Sequence, residues 1–288
     1  MRVDIGDDAA VRHDGVVITV DTLVEGVHFR GHHRPEDLGQ KTLAVSVSDV
    51  VAMGARPDHA VLALSLPSGR RRWLDRFAAG LAQACASYGV DLVGGDTTRS
   101  PGPIVVTLTL LGTLTGEPWR RDGAVVGDRL LVTGTLGLPG AGWMDATPTT
   151  AASRALAVPV PPYRVPDAFA AEGIIVHAAM DLSDGLAVDA PRMAAASGVA
   201  LRLRPEALPA HPEVAARSDR LALQTCGGED YQLLIAVPPH EVGRAVEAAA
   251  RAGTTLTEIG EVVAGAGAYL VGAEWPSGAF DHFPERQP

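Results

Sequence analysis

Short apolar runs alternate with amphipathic stretches along the whole chain. Val16-Val17-Ile18-Thr19-Val20 is β-branched and short, which predicts a strand ending at Asp21. Pro35, Glu36 and Asp37 have the chemistry of a helix start, and Gly54 and Pro57 that of a stop. Leu38, Thr42, Val45 and Asp49 fall on one face of that helix. A second helix is predicted from about Arg71 to Tyr88, with Trp73, Phe77, Leu81, Ala84 and Tyr88 as its apolar stripe and Gly89 as its stop. Asp91-Leu92-Val93 reads as a short strand running into Gly94-Gly95-Asp96, and Ile104 to Leu111 as a buried strand.

Glycine and charged residues between Arg120 and Gly127 interrupt this pattern and predict a boundary, dividing the chain into residues 1–122 and 123–288. A strand at Arg129 to Thr133 follows, then a proline-rich stretch from Ala146 to Pro166 that predicts a helix and an extended connection. The rest alternates again: a helix after Ser183, a strand from Tyr231 to Val237, a helix from Pro239 to Ala252 and a strand from Leu256 to Val263. No fixed-period repeat is present. The alternation predicts an α/β or α+β protein of two domains.

Composition narrows the function classes. Of the 288 residues 47% are apolar, enough for a sizeable core and too many for a disordered chain. The formal net charge of -10 disfavours general nucleic-acid binding. Cys85 and Cys226 are the only cysteines, so neither a disulfide framework nor a cysteine-based zinc site is supported. No apolar signal region opens the sequence, and no run of about 18 uncharged apolar residues occurs. A soluble cytoplasmic protein is expected, with no membrane partner.

The aspartates recur at strand ends and beside glycines. Asp7 and Asp8 follow Gly6, Asp21 follows Val20, Asp96 follows Gly94-Gly95, and Asp181 and Asp184 bracket Leu182-Ser183. Asp49 lies in a mostly apolar helix. A single such aspartate is more often a helix cap or turn residue, and Asp184, Asp37 and Asp58 are all readable that way. Several together suit Mg²⁺, which takes oxygen ligands and bridges carboxylates to substrate phosphates. Gly94-Gly95 and Gly227-Gly228 allow close approach of backbone to a ligand, though most such pairs are turns. No Gly-x-x-x-x-Gly-Lys-Ser/Thr loop and no protein-kinase motif set is present. His28 serves equally as a substrate contact or a structural loop histidine, and His32-His33 reads as a solvated loop. Ser183 has no evident partners for nucleophilic catalysis.

Six segments in this order resemble thiamine-monophosphate kinases. They are Ile5-Gly6-Asp7-Asp8-Ala9-Ala10, the stretch from Asp21 to Phe29, Leu43 to Ala55, Gly94-Gly95-Asp96-Thr97-Thr98, Asp181-Leu182-Ser183-Asp184-Gly185-Leu186 and Gly227-Gly228-Glu229-Asp230-Tyr231. The resemblance runs from Ile5 to the C-terminus. It implies a two-domain fold shared with aminoimidazole ribonucleotide synthetase and selenophosphate synthetase, with the N-terminal domains paired in a homodimer. It implies direct transfer of the ATP γ-phosphoryl group to thiamine monophosphate, with no phosphoenzyme and no side chain acting as acid, base or nucleophile. By motif position it implies Mg²⁺ ligands at Asp8, Thr19, Val20 (through its backbone), Asp21, Asp49, Asp96, Asp181 and Asp184. ATP contacts are implied at Gly95, Asp96, Arg121 and Ser183, and substrate contacts at His28, Glu229 and Phe280. An aromatic ring at Phe280 against a cationic thiazolium would be favourable; packing on the core is the plainer reading.

Two features depart from the family pattern. A helical segment is expected ahead of the Gly-Asp-Asp motif, and five residues precede Gly6 here. Val20 stands where relatives often carry a hydroxyl, which leaves only a carbonyl contact there. Two other readings remain: a superfamily enzyme with a different acceptor, and a non-catalytic nucleotide-binding relative. The reactive N-terminal cysteine of selenophosphate synthetases is absent. An inactive relative has no physical need for so many mutually repelling carboxylates.

Overall fold

The structure, a computed structural model, describes residues 1–31, 33–147 and 149–278. The first part of the chain forms β1 (Ala10–Val11), β2 (Val16–Val24), α1 (Pro35–Ala52), β3 (Ala55–Leu66), α2 (Arg71–Tyr88), β4 (Asp91–Arg99) and β5 (Val105–Leu114). Its five strands lie in the order β1-β2-β5-β3-β4, with β3 and β4 parallel and the other neighbours antiparallel. Alternation along β5 turns Val106, Leu108 and Leu110 toward α1, which covers one face of the sheet. Helix α2 packs on the far side of α1. Sandwiched in this way, α1 is buried almost all round rather than along one stripe.

The second part forms β6 (Arg129–Thr133), α3 (Leu138–Met144), α4 (Thr150–Ala157), α5 (Val165–Glu172), β7 (Ala178–Leu182), α6 (Leu186–Ser197), β8 (Ala200–Leu203), α7 (Pro212–Ala215), α8 (Arg220–Cys226), β9 (Gln232–Val237), α9 (Val242–Arg251), β10 (Leu256–Val263) and β11 (Gly267–Leu270). Its six strands run in the order β11-β8-β10-β6-β9-β7, and only β11 and β8 are parallel. Leu130, Val132, Met180, Leu182 and Leu234 pack in a core with Leu186, Ala190 and Met193 of α6. Leu131, Ala179, Leu233 and Ile235, of opposite parity, join a core continuous with that of the first sheet. Trp119 and Phe169, with ring centroids 5.7 Å apart, sit within that shared core.

Several elements differ from the sequence reading. Strand β2 continues through Asp21 to Val24, because every residue from Val16 to Val24 pairs with β5. Strand β3 was hidden by Arg56, Pro57, Asp58 and His59, and the pairing with β5 shifts register between Pro57 and His59, where a proline is tolerated. Strand β4 is nine residues long instead of three, and all nine are exposed. Strand β5 alternates in burial and is not buried throughout. Among the described residues no helix is long and apolar enough to cross a membrane.

Candidate active site

The cleft between the two sheets is built on α1. Thr19 and Asp21 share the β2 face that packs on α1, and the Thr19 hydroxyl donates to Asp49 Oδ2 at 2.6 Å. One residue before Asp49, Ser48 points to the other domain and donates to Asp181 Oδ2 at 2.8 Å. Asp181 lies on β7, next to the end of that strand. The turn after Gly6 brings Asp8 to the same place. One carboxylate oxygen from each of Asp8, Asp49 and Asp181 lies within 4.8 Å of the other two.

Three carboxylates so close and so little solvated resist ionisation. Burial, then the charge of Asp181, pushes the Asp8 carboxyl well above the usual carboxylate range. Burial, then Asp21, does the same to Asp49. Burial pushes Asp181 up to about 6, and Asp21 is also raised by burial. Arg121 is the cation among them: its Nη2 donates to Asp8 Oδ1 at 2.6 Å and its Nε lies 3.5 Å from Asp7 Oδ1. Asp8 Oδ2 and Asp21 Oδ2 are buried with no hydrogen-bond partner. An all-oxygen donor set with buried, unpartnered carboxylate oxygens fits a hard divalent cation.

Asp184 and Ser183 line the same cavity. The turn that carries them is held from below by Asp189, whose Oδ2 accepts the Asp184 and Gly185 N–H groups at 3.1 and 3.0 Å. Arg192 bridges Asp184 and Asp189. Asp184 therefore does not cap α6. Asp37 departs from its capping role too: it pairs with Arg154 and ties α1 to α4.

The same cavity is also lined by His28, Glu229, Tyr231 and Trp143. The Gly227–Tyr231 loop is strained: Gly228, Glu229 and Tyr231 all have positive φ, at 62°, 63° and 48°. Backbone bonds from Glu229 N–H to Ser183 O and from Tyr231 N–H to Leu182 O lock it against the Asp184 turn. A Cβ on Gly228 would sit 3.0 Å from Ser183 O. The His28 ring accepts the Val24 N–H at Nδ1, closing the 24–28 loop. Arg30 stands over the Trp143 ring at 4.7 Å and donates to the Trp143 carbonyl.

Some expected site residues are not brought together within one chain. Asp96 pairs in register with Ala63, in a row Thr22, Thr107, Ala63, Asp96 across four strands. That row faces away from α1, and its ends are three strand spacings apart, about 14 Å. Asp96 is thus displaced from the cluster formed by Asp8, Asp49 and Asp181. Gly95 lies against β3, where a Cβ would meet Leu62 O at 2.1 Å, so close strand pairing accounts for it. The Val20 side chain is 60% exposed on the face opposite Thr19 and Asp21, which leaves only its main chain as a possible ligand. Phe280 lies outside the described residues.

Sequence reasoning missed Ser48, Lys41, Asp189 and Trp143. A signal existed for Lys41 and Ser48, as Lys41 falls on the helix face of Val45 and Asp49 at four-residue spacing and Ser48 adjoins Asp49. Asp189 acts on Asp184, Gly185 and Arg192, three to five residues away, so a local signal was there to be read; Trp143 meets Arg30 from far along the chain and left none.

The family model for AIR synthase related protein matches this chain in two parts, its N-terminal domain at residues 6–114 and its C-terminal domain at 125–272. Thiamine-monophosphate kinase of Caulobacter vibrioides is 38% identical over 95% of this chain and 83% of its own length. The Escherichia coli K12 protein of that name is 34% identical over 92% and 85%. The solved structure of AaThiL in complex with AMPPCP and TMP superposes with a TM-score of 0.86 at 32% identity, covering 97% of this chain and 92% of that one. Hydrogenase maturation protein HypE, at 20% identity and TM-score 0.75, shares the fold. With its cluster of carboxylates at the junction of two such domains, the chain belongs to the AIR synthase related family and, within it, to the thiamine-monophosphate kinases.

Proposed function

We propose that the chain transfers the γ-phosphoryl group of ATP directly to the phosphate of thiamine monophosphate, giving thiamine diphosphate and ADP. The observation that carries this reading is the convergence of Asp8, Asp49 and Asp181 within 4.8 Å, beside a cavity that Asp49 and Asp181 line together with His28 and Glu229. The thiamine-monophosphate kinases aligned over most of the chain, and the AMPPCP and TMP bound by AaThiL, support it.

Asp8, Asp49 and Asp181 would hold Mg²⁺, with Asp21 and Asp184 beside them and the Thr19–Val20 main chain within the same strand. Bound there, Mg²⁺ would neutralise the carboxylates against the ATP phosphates and supply charge stabilisation to phosphoryl transfer. Arg121 and Ser183 would orient the nucleotide. Thr19 and Ser48 fix the rotamers of Asp49 and Asp181, so the cluster is set before substrates arrive. No side chain is assigned as nucleophile; alignment of donor and acceptor phosphates is what the chain provides. His28 and Glu229 receive the acceptor, and the same role is assigned to Phe280.

A homodimer completes this reading. The sheet face opposite α1 is open, with Val20 and Val61 exposed on it, and β4 is an exposed edge that carries Leu92 and Val93. A second copy would cover this face and would put Gly95 and Asp96 at the contact between copies. A division of the chain at residues 122 and 123 and a cytoplasmic location, where ATP is supplied, accompany the proposal.

Product analysis tests it. Purified protein with ATP, Mg²⁺ and thiamine monophosphate should give one thiamine diphosphate per ADP. ADP release without thiamine diphosphate would move the acceptor elsewhere in the family.

A further inference from the structure

Lys41 is 1% exposed, and its ammonium is the cation that meets Glu229 at the acceptor end of the cleft. A buried ammonium is stable only when its charge is paired and its three donors are used. Lys41 meets both conditions with groups from three separate segments. Its Nζ donates to Glu229 Oε2 at 2.5 Å, to the His28 carbonyl at 3.1 Å and to the Leu156 carbonyl at 3.2 Å. The His28 loop belongs to the first domain, and Glu229 and α4 to the second. Lys41, Val45 and Asp49 follow one another at four-residue spacing on α1, and Val45 and Asp49 line the cavity. Eight residues of helix separate Lys41 from Asp49 by about 12 Å, so one rigid helix carries a carboxylate at the phosphoryl end and a cation at the acceptor end.

We propose that Lys41 is a positioning residue for the acceptor: it holds the Glu229 carboxylate and the His28 loop in register with each other, and through α1 with the carboxylate cluster. This rests on the reading of His28 and Glu229 as acceptor contacts. Glu229 sits at φ 63°, a conformation disfavoured for its residue type, so its side chain needs an anchor to stay in place. The ion pair supplies one and leaves Oε1 for a ligand.

Steady-state kinetics and nucleotide binding on Lys41→Met, with Glu229→Gln in parallel, test the proposal. Lys41→Met should raise the KM for thiamine monophosphate about tenfold or more. The Kd for Mg²⁺–AMPPCP, measured without acceptor, should stay within about twofold. Glu229→Gln should raise the acceptor KM in the same way, and the double variant should be no worse than the poorer single one, because the two residues act as a unit. If Lys41→Met does not fold, Lys41→Gln takes its place; its amide still donates to the two carbonyls while the charge is gone. An unchanged acceptor KM in a folded Lys41 variant overturns the proposal, as does an equal loss of nucleotide and acceptor affinity. No thiamine diphosphate from the unsubstituted chain would overturn the functional reading itself, and the proposal with it.

Discussion

The Ser48 hydroxyl donates to Asp181 Oδ2 across 2.8 Å, joining helix α1 of the first domain to strand β7 of the second. Both residues are buried, at 0% and 3% exposure, so the bond has no replacement from solvent. It favours the ionised Asp181 carboxylate, opposing the burial that raises it. Ser48→Ala should therefore push Asp181 higher still and weaken the cluster by about 1–3 kcal/mol. The apparent Mg²⁺ affinity in the kinase assay should fall severalfold, more at about pH 6 than at about pH 8. A Mg²⁺ titration at both pH values checks this; equal losses would contradict it.

Asp49 bears on stability as well as activity. Its folded-state carboxyl is raised well above the usual range, chiefly by burial and then by Asp21. A raised carboxyl binds more protons in the folded state than in the unfolded one. Metal-free stability is therefore lost as pH rises from the ordinary aspartate value of about 4 through the folded value. Asp49→Asn removes that loss, so the metal-free variant should melt above the parent chain near neutral pH, and the gap should close toward about pH 4. Mg²⁺ should raise the parent Tm and move the variant little. The variant should also lose most phosphoryl transfer. Thermal melts with and without Mg²⁺ check the order; near-parent turnover would remove Asp49 from the site.

The strained loop beside the cavity gives a backbone test. Gly228 sits at φ 62° with room for a Cβ only 3.0 Å from Ser183 O. Gly228→Ala should destabilise the chain by about 1–2 kcal/mol, since an L side chain is strained there. Because Glu229 follows directly, acceptor KM should rise more than nucleotide KM. A melt and two substrate titrations separate the effects.

The dimer reading has its own measurement. Val93 is 60% exposed on β4. A charged residue at that edge, Val93→Lys, should shift the chain from dimer to monomer in light scattering while leaving the monomer folded. A chain that is already monomeric before substitution would refute the dimer.

Much of this was legible in the sequence, for identifiable reasons. Helices α1 and α2 carried Pro35, Gly54 and Gly89 as end signals, and α2 occupies Arg71–Tyr88 as the apolar stripe indicated. Three of the aspartates beside glycine, at a strand end or on α1 do meet at one point, because the turn after Gly6, α1 and β7 converge there. Strand β3 was not legible, because Pro57 and its charged neighbours imitate a loop and only pairing with β5, joined by β4 from His59 onward, makes them a strand. Asp96 had the same local signature as Asp181, but strand order decides the outcome, and local sequence does not encode strand order. Lys41 and Ser48 stand on a legible helix, yet the carboxylates they meet, Glu229 and Asp181, lie more than a hundred residues away.

Direct transfer on the carboxylate cluster is tested most directly with γ-³²P-labelled ATP in a single turnover. With Mg²⁺ and thiamine monophosphate, the label should pass to thiamine diphosphate, none should stay on the protein, and omitting Mg²⁺ should stop the transfer. Label retained on the chain, or transfer that proceeds without Mg²⁺, would contradict the account.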